Sequence, residues 1–201
     1  MNRPFIDDPN DIARFEGQRF VVLRATGSVP DVHGYLRSLI KEQVASGAVS
    51  YPAEAHVTLA GFPTGAPLES IRDLVAQWAR SVPPLRLEVE GAGYFPAPFQ
   101  VVMLRVRRTT ELVDALSSLR ARAEERELGD PSATVPAADW IFHMSVAYCS
   151  SLSGPAWAAV TQFVDGIQLA AAQCVVGEAE IVAFDDNHEY SGGIVELSAR
   201  I

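Results

Sequence analysis

The sequence predicts an α+β protein of two related lobes, with mainly antiparallel sheets and outer helices around a central cleft. Three observations lead to this fold class. The order strand, helix, strand, helix, strand occurs twice along the 201 residues. The first strands of the two rounds are alike, FVVLRA at 20–25 and VVMLRV at 101–106, and the second strand of each round contains a histidine. Each sheet buries its apolar face against helices, so a duplicated unit of this kind forms two packed layers of sheet and helix.

The first round follows a polar segment, residues 1–17, which we expect to be a flexible arm; residues 18–201 then form one bilobal domain. QRFVVLRA is apolar and β-branched, which predicts a strand. From Pro30 to about Ser46 the apolar residues recur at helical spacing. HVTLAGF at 56–62 predicts the strand with the histidine.

A second helix is predicted within 63–81, because Glu69 lies early and Arg80 late in it, as the helix dipole favours. Alternating apolar residues then predict a third strand within 83–95. The second round continues with a strand, a helix, a loop, a strand, a helix and two closing strands, predicted at 99–107, about 110–127, 129–140, 141–150, 154–166, 174–186 and 192–201.

Composition excludes several classes of protein. The chain is 48% apolar and 20% charged, which is typical of a globular protein with an ample core. A net charge of −9 repels polyanions, so no long nucleic-acid footprint is expected. Its two cysteines, Cys149 and Cys174, lie in apolar runs without metal-type spacing and predict buried free thiols. With neither a signal peptide nor a membrane-spanning run, we expect a cytoplasmic monomer.

Two short strands carry the candidate chemistry. In HVTL at 56–59 and HMSV at 143–146 the side chains alternate between the two faces of a strand. His56 and Thr58 therefore share one face, and His143 and Ser145 share one face, while apolar residues occupy the other. A single histidine in a strand is usually a core residue bonded to the backbone, but a matched pair at the same step of a duplication is a more specific pattern.

These motifs resemble those of the 2H phosphoesterase superfamily, which includes bacterial 2′-5′ RNA ligases and cyclic nucleotide phosphodiesterases. Members carry two His-x-Thr/Ser-x motifs, one from each half of a bilobal fold; here the histidines are 87 positions apart. The segment GYFPAPFQVVMLRVRRTTELVDALSSLR also resembles the central strands and following helix of the family, and about residues 18–200 fit its pattern.

The resemblance implies a phosphoesterase that opens 2′,3′-cyclic phosphates of nucleotides or short RNA ends, with no metal and no cofactor. His56 and His143 would act as acid and base, and Thr58 and Ser145 would donate hydrogen bonds to the phosphate. Two alternatives stay open: a 2′-5′ RNA ligase with the same four side chains, and a nucleotide- or RNA-binding module without turnover. DDNHE at 185–189 has metal-like composition, but acidic residues in a turn are typically solvated, so no metal site is expected there.

Substrate contacts are predicted at five further positions. RNA ligases of the family often carry arginine five positions after the second histidine, where this chain has a tyrosine; strict alternation places that side chain on the face opposite the histidine. The family often has phenylalanine at the equivalent position of the first motif, where this chain has glycine followed by phenylalanine. Aromatic residues of GYFPAP are expected to line the groove, and an arginine of the central strand to reach phosphate. These candidates are Tyr148, Phe62, Tyr94, Phe95 and Arg105.

Overall fold

The computed structural model describes residues 16–44, 47–52, 54–129, 135–185 and 188–199, which form eight strands and four α-helices. Most of the predicted arm, residues 1–15, and part of the loop predicted at 129–140 lie outside these ranges. The strands are β1 (Arg19–Arg24), β2 (His56–Phe62), β3 (Leu85–Phe95), β4 (Val101–Val106), β5 (His143–Tyr148), β6 (Gln173–Val176), β7 (Glu178–Asp185) and β8 (His188–Glu196). The helices are α1 (Val29–Gln43), α2 (Leu68–Ala79), α3 (Thr110–Glu125) and α4 (Gly154–Asp165), with a 3₁₀ turn at Ala137–Asp139.

The strands form two four-stranded antiparallel sheets. The first sheet has the order β2-β1-β7-β8 and the second has the order β5-β4-β3-β6. Amphipathic helices cover one face of the sheets and build a core that includes Leu36, Leu74 and Trp78, each fully buried. The predicted fold class is confirmed.

The two sheets do not correspond to two consecutive halves of the chain, as the predicted duplication would suggest. The strand that closes the first predicted round, β3, pairs with β4 and β6 in the second sheet, and the last two strands return to the first sheet. Residues 85–176 therefore supply the second sheet without interruption, whereas the first sheet combines both ends of the chain. The strand predicted at 174–186 is in fact two strands, because Gly177 separates β6 in one sheet from β7 in the other. Continuous apolar character does not reveal such a change of sheet.

Each histidine strand lies at an edge of its sheet, and the two edges meet. β2 is the first strand of one sheet and β5 the first strand of the other. Ser50, just before β2, exchanges backbone hydrogen bonds with Tyr148 of β5: the Tyr148 N–H donates at 2.8 Å and the Ser50 N–H at 3.2 Å. The imidazole of His33 in α1 adds a second link, since its Nε2 donates to the Ser145 carbonyl at 2.9 Å.

Candidate active site

A cavity of about 340 Å³ lies between the two sheets. The first sheet contributes residues of β1 and β2, and the second contributes residues of β3, β4, β5 and the loop before β4. The lining residues are Phe20, Val22, His56, Thr58, Phe95, Phe99, Val101, His143, Ser145 and Tyr148. Both predicted histidines and both predicted hydroxyl residues thus line one cavity.

The two imidazoles are held in the same way. Nδ1 of His56 donates to the carbonyl of Glu54 at 3.0 Å, and Nδ1 of His143 donates to the carbonyl of Ile141 at 2.9 Å. In both cases the acceptor lies two residues before the histidine. A carbonyl can only accept, so each bond fixes the proton on Nδ1 and makes Nε2 the basic nitrogen of the neutral ring.

Desolvation lowers the pKa of both rings. His56 is 5% exposed, and desolvation lowers its pKa to about 3, with further lowering by Arg24, His33 and His143. Burial also lowers the pKa of His143. The bonds to the Glu54 and Ile141 carbonyls oppose these shifts without overcoming them.

Tyr148 lies on the same face as His143, contrary to strict alternation. The pairing of β4 with β5 slips at one point: Val102 is opposite Ala147, but Met103 is opposite Ser145. Val146 is therefore an extra residue, a β-bulge, and it reverses the alternation beyond it. The burial pattern agrees, because residues 144, 146 and 147 are buried while 143, 145 and 148 are half-exposed.

The first motif carries a bulge at the same step. β1 pairs Val22 with Thr58 but Val21 with Ala60, which leaves Leu59 as the extra residue. Gly61 consequently takes the position that Tyr148 has in the second motif. Phe62, for which a substrate contact is predicted, falls on the opposite face, is 4% exposed and belongs to the core, so it does not line this cavity. The cross-strand partner of Gly61 is Phe20, which supplies the aromatic ring on this wall of the cavity.

The two adjacent aromatic residues of β3 point to different places. Phe95 lines the cavity, with its ring edge-on to that of His143 at 4.8 Å between centroids. Tyr94 lies on the other face, where it packs edge-on against Trp157 at 5.9 Å and its hydroxyl reaches Asp165 at 3.4 Å. Tyr94 therefore does not line this cavity. Phe99, which we did not predict, does line it and is 68% exposed.

Arg105 is the cross-strand partner of His143, but its side chain leaves the cavity. Its methylene groups lie over Gly93, 3.1 Å from where a Cβ would stand, and its guanidinium approaches Gly91. It lines a neighbouring, more polar cavity of about 590 Å³ together with Glu90 and Asp165. The predicted phosphate contact of Arg105 is therefore not made in the cavity of the histidines.

The equivalent residue of the first sheet, Arg24, is engaged by carboxylates. It is the cross-strand partner of His56 and contacts Glu180 at 2.7 Å, Glu189 at 2.9 Å and Glu54 at 3.6 Å. Desolvation raises the pKa of Glu189 to about 7 despite its bond to this arginine.

The remaining candidates are structural. Cys149 and Cys174 are buried free thiols, as predicted, and burial raises the pKa of Cys149 to about 12. Within the described ranges, no three His, Cys, Asp or Glu side chains come together as a metal site would require. None of the helices described is long and apolar enough to span a membrane. The sequence did not predict the contact of the buried His33 with the backbone of Ser145, because the neighbours of His33 in the chain form no recognisable motif.

Two antiparallel sheets with a histidine strand from each at a shared cleft define a 2H phosphoesterase. The family model described as the 2′-5′ RNA ligase superfamily matches residues 36–187, well over half of the chain. The chain belongs to this superfamily. No curated protein sequence matches it significantly.

Solved structures show the same fold at low sequence identity. TT0787 of Thermus thermophilus aligns with a TM-score of 0.69 and 16% identity, covering 92% of this chain and 100% of that chain. LigT of E. coli in its apo form aligns with a TM-score of 0.62 and 16% identity, covering 90% of this chain and 98% of that chain. LigT complexed with 3′-AMP aligns with a TM-score of 0.61 and 14% identity, covering the same shares of the two chains.

Proposed function

We propose that this protein is a metal-independent phosphoesterase that opens 2′,3′-cyclic phosphates of nucleotides or RNA ends. The observation that carries the proposal is the matched pair His56 and His143, two rings in one tautomer that line one cavity from opposite sheets. The crystal structures of LigT with 3′-AMP and with phosphate support a nucleotide-sized, phosphate-bearing ligand.

Ring opening needs one proton acceptor and one proton donor. Water attacks phosphorus in line with the departing ribose oxygen; the basic Nε2 of one histidine accepts a proton from the water as the new P–O bond forms. The other histidine, protonated, gives its proton to the ribose oxygen as the old P–O bond breaks. The product is a phosphomonoester and a free hydroxyl, and the two histidines have exchanged protonation states. Proton transfer of this kind contributes roughly 10²–10⁴-fold.

Thr58 and Ser145 would stabilise the charge that develops on the non-bridging oxygens. Each lies two residues beyond its histidine on the same strand face and lines the cavity. A hydroxyl so placed can donate to an equatorial oxygen, and loss of one donor of this type costs about 10²–10³-fold in rate.

RNA ligation by the same residues is the nearest alternative, and the description of the matched family favours it. In that reaction an RNA 5′-hydroxyl replaces water as the nucleophile. It needs a second polynucleotide strand, whereas no lysine or arginine among the described residues lines the cavity. We therefore place hydrolysis first.

The test is hydrolysis of the four 2′,3′-cyclic mononucleotides in the presence of chelator, with the phosphate position of the product determined by chromatography. We expect activity in the wild type and a loss of at least roughly 10²-fold in His56→Ala and in His143→Ala. Thr58→Ala should lose activity, while Thr161→Ala, which removes a hydroxyl from the surface of α4, should not.

Activity that requires an added metal, or that survives both histidine substitutions, would contradict the mechanism. Joining of an RNA 2′,3′-cyclic end to a 5′-hydroxyl strand, with no hydrolysis of mononucleotides, would favour the ligase. Tight nucleotide binding with no turnover would favour the binding module.

A further inference from the structure

The outer edge of β5 carries a carbonyl that β4 does not use. Successive carbonyls of a strand point to opposite edges, and the Phe142 carbonyl accepts from the Val106 N–H at 2.9 Å, on the side of β4. The Ser145 carbonyl, three residues further on, therefore points away from β4. Nε2 of His33 in α1 donates to it at 2.9 Å. A helix that follows the first strand of one sheet thus supplies the donor for the edge of the other sheet.

This bond is made where the course of β5 changes. The Ser145 carbonyl belongs to the peptide that joins Ser145 to Val146, and Val146 is the bulged residue that turns Tyr148 into the cavity. The Ser145 hydroxyl lines the same cavity. Because a bulge locally disrupts the ladder between strands, a donor from outside the sheet fixes a peptide that strand pairing alone holds less firmly.

The ring of His33 is placed to serve the backbone and not a ligand. It is 4% exposed and does not line the cavity of the two motif histidines. Since a carbonyl can only accept, the neutral ring of His33 carries its proton on Nε2, whereas His56 and His143 carry theirs on Nδ1. The rings are nonetheless close, because His33 adds to the lowering of the pKa of His56 by burial and Arg24.

We propose that His33 is a positioning residue of the active site, whose bond to the Ser145 carbonyl sets the Ser145 hydroxyl and the Tyr148 ring in the cavity and holds the second histidine strand against the first sheet. His33 acts through the backbone of β5 and touches no reacting atom. The inference rests on the proposed function and adds a residue beyond the four motif side chains. A misplacement of about 1 Å in such a site can cost about 10²-fold in rate.

Two substitutions separate the hydrogen bond from the bulk of the ring. His33→Leu removes the donor, whereas His33→Gln keeps an N–H donor at similar reach. His33 lines a separate cavity of about 340 Å³, which leaves room for either side chain. In His33→Leu we expect kcat for a 2′,3′-cyclic mononucleotide to fall at least about tenfold, with KM within about threefold of wild type. In His33→Gln kcat should return to within about threefold of wild type.

Trp78→Phe is the control for loss of a buried bond from a side chain to a carbonyl. Nε1 of Trp78 donates to the Ala115 carbonyl at 3.0 Å and links α2 to α3, and neither residue lines the cavity. Urea unfolding should show that both His33→Leu and Trp78→Phe are destabilised, while kcat of Trp78→Phe stays within about twofold of wild type. If His33→Leu does not fold, His33→Asn, whose donor falls short of the carbonyl, takes its place.

NMR tests the contact without any turnover. In wild-type protein near neutral pH, the ¹⁵N shifts of the imidazoles should show the Nε2–H tautomer for His33 and the Nδ1–H tautomer for His56 and His143. The Tyr148 N–H, which donates to the Ser50 carbonyl at 2.8 Å, is the next link along the same edge of β5. Its exchange with solvent should be at least about tenfold faster in His33→Leu, and His33→Gln should restore its protection.

A kcat of His33→Leu within about twofold of wild type, equal losses in His33→Leu and His33→Gln, an equal loss in Trp78→Phe, or an Nδ1–H tautomer of His33 would each overturn the inference. These outcomes are distinct from failure of the proposed function. Wild-type protein that opens no cyclic phosphate contradicts the proposed function, and the tautomer and exchange measurements still decide whether His33 holds β5. Protein that opens cyclic phosphates equally well in all these variants has the reaction and does not need His33.

Discussion

Among the described residues, a backbone carbonyl orients each imidazole. The carbonyls of Glu54 and Ile141 accept from Nδ1, so the strand that carries the histidine also fixes its tautomer. A neutral acceptor raises the basicity of the ring less than a carboxylate does, which leaves burial as the dominant influence on the pKa. At this scale the pKa of both imidazoles is held below the ordinary value of histidine.

Burial of neutral histidines also makes stability depend on pH. The unfolded chain binds a proton at His56 below about pH 6.5, whereas the folded protein, with a pKa of about 3, does not. The contribution of neutral His56 to the free energy of unfolding is therefore present above pH 6.5 and is lost as the pH falls towards 3. His33 and His143 act in the same direction, and Glu189 acts in the opposite one because burial raises its pKa to about 7.

We predict that His56→Gln flattens this dependence. From pH 6.5 to 4.5 the free energy of unfolding of the wild type should fall relative to the variant by roughly 1.4 kcal/mol per pH unit. Urea unfolding of both proteins at several pH values measures the difference, and Glu189 cancels in it. Parallel curves would show that His56 titrates normally in the folded protein.

Residue patterns predicted which histidines and hydroxyl residues line the cavity better than they predicted its aromatic lining. Period-two alternation placed His56 with Thr58 and His143 with Ser145 because no irregularity separates the members of either pair. Beyond them, the bulges at Leu59 and Val146 reverse the alternation, so Tyr148 enters the cavity and Phe62 leaves it. A bulge arises from pairing with another strand, and a single sequence does not contain that information.

Bulges recur among the strands, and one of them creates a close contact with a helix. In β8 the register slips at Gly192, whose carbonyl accepts from Nε of Arg72. A Cβ at this position would stand 2.9 Å from Cδ1 of Leu68 in α2 and 3.3 Å from the backbone oxygen of Ile181. The absence of a side chain lets α2 pack directly on β8.

We predict that Gly192→Val lowers the free energy of unfolding by about 1–3 kcal/mol through overpacking. Gly34→Ala is the control for adding a side chain where there is open space. This glycine lies within α1 with nothing within 4 Å of a Cβ, so the substitution should stabilise by about 0.5–1 kcal/mol. Urea unfolding measures both. A neutral Gly192→Val variant would mean that the α2–β8 contact is not tight.

At the scale of the whole molecule, the chain carries a net charge of −9, and no Lys, Arg, Asp or Glu among the described residues lines the cavity of the histidines. The field of the protein therefore repels an anionic substrate, and added salt screens this repulsion. Proteins that bind polynucleotides show the reverse, because salt weakens their phosphate contacts.

We predict that kcat/KM for a 2′,3′-cyclic mononucleotide rises about two- to threefold as potassium acetate increases from about 10 to 150 mM. A neutral osmolyte at equal osmolality should have no such effect. A fall in kcat/KM with salt would indicate a basic track for a polymer, in agreement with the ligase alternative.

The sequence predicted both sheets, their helices and the two histidine strands, since each has a strong local period. It did not predict which sheet each strand joins. β3 closes the first round in the chain yet pairs within the second sheet, and Gly177 divides what reads as one apolar strand. Sheet membership depends on contacts between distant segments, to which local periodicity is blind.

Because residues 85–176 form the second sheet without interruption, this segment is suited to exchange as one unit with that of a relative. Its first and last residues in the sheet, Leu85 and Val176, are direct cross-strand partners, so the chain enters and leaves this half at adjacent points. A graft of the corresponding segment from a relative would need only two junctions, side by side and on the far strands from His143. Chimeras made in this way would combine one protein's first histidine wall with another's second, and would show which wall determines the choice of substrate.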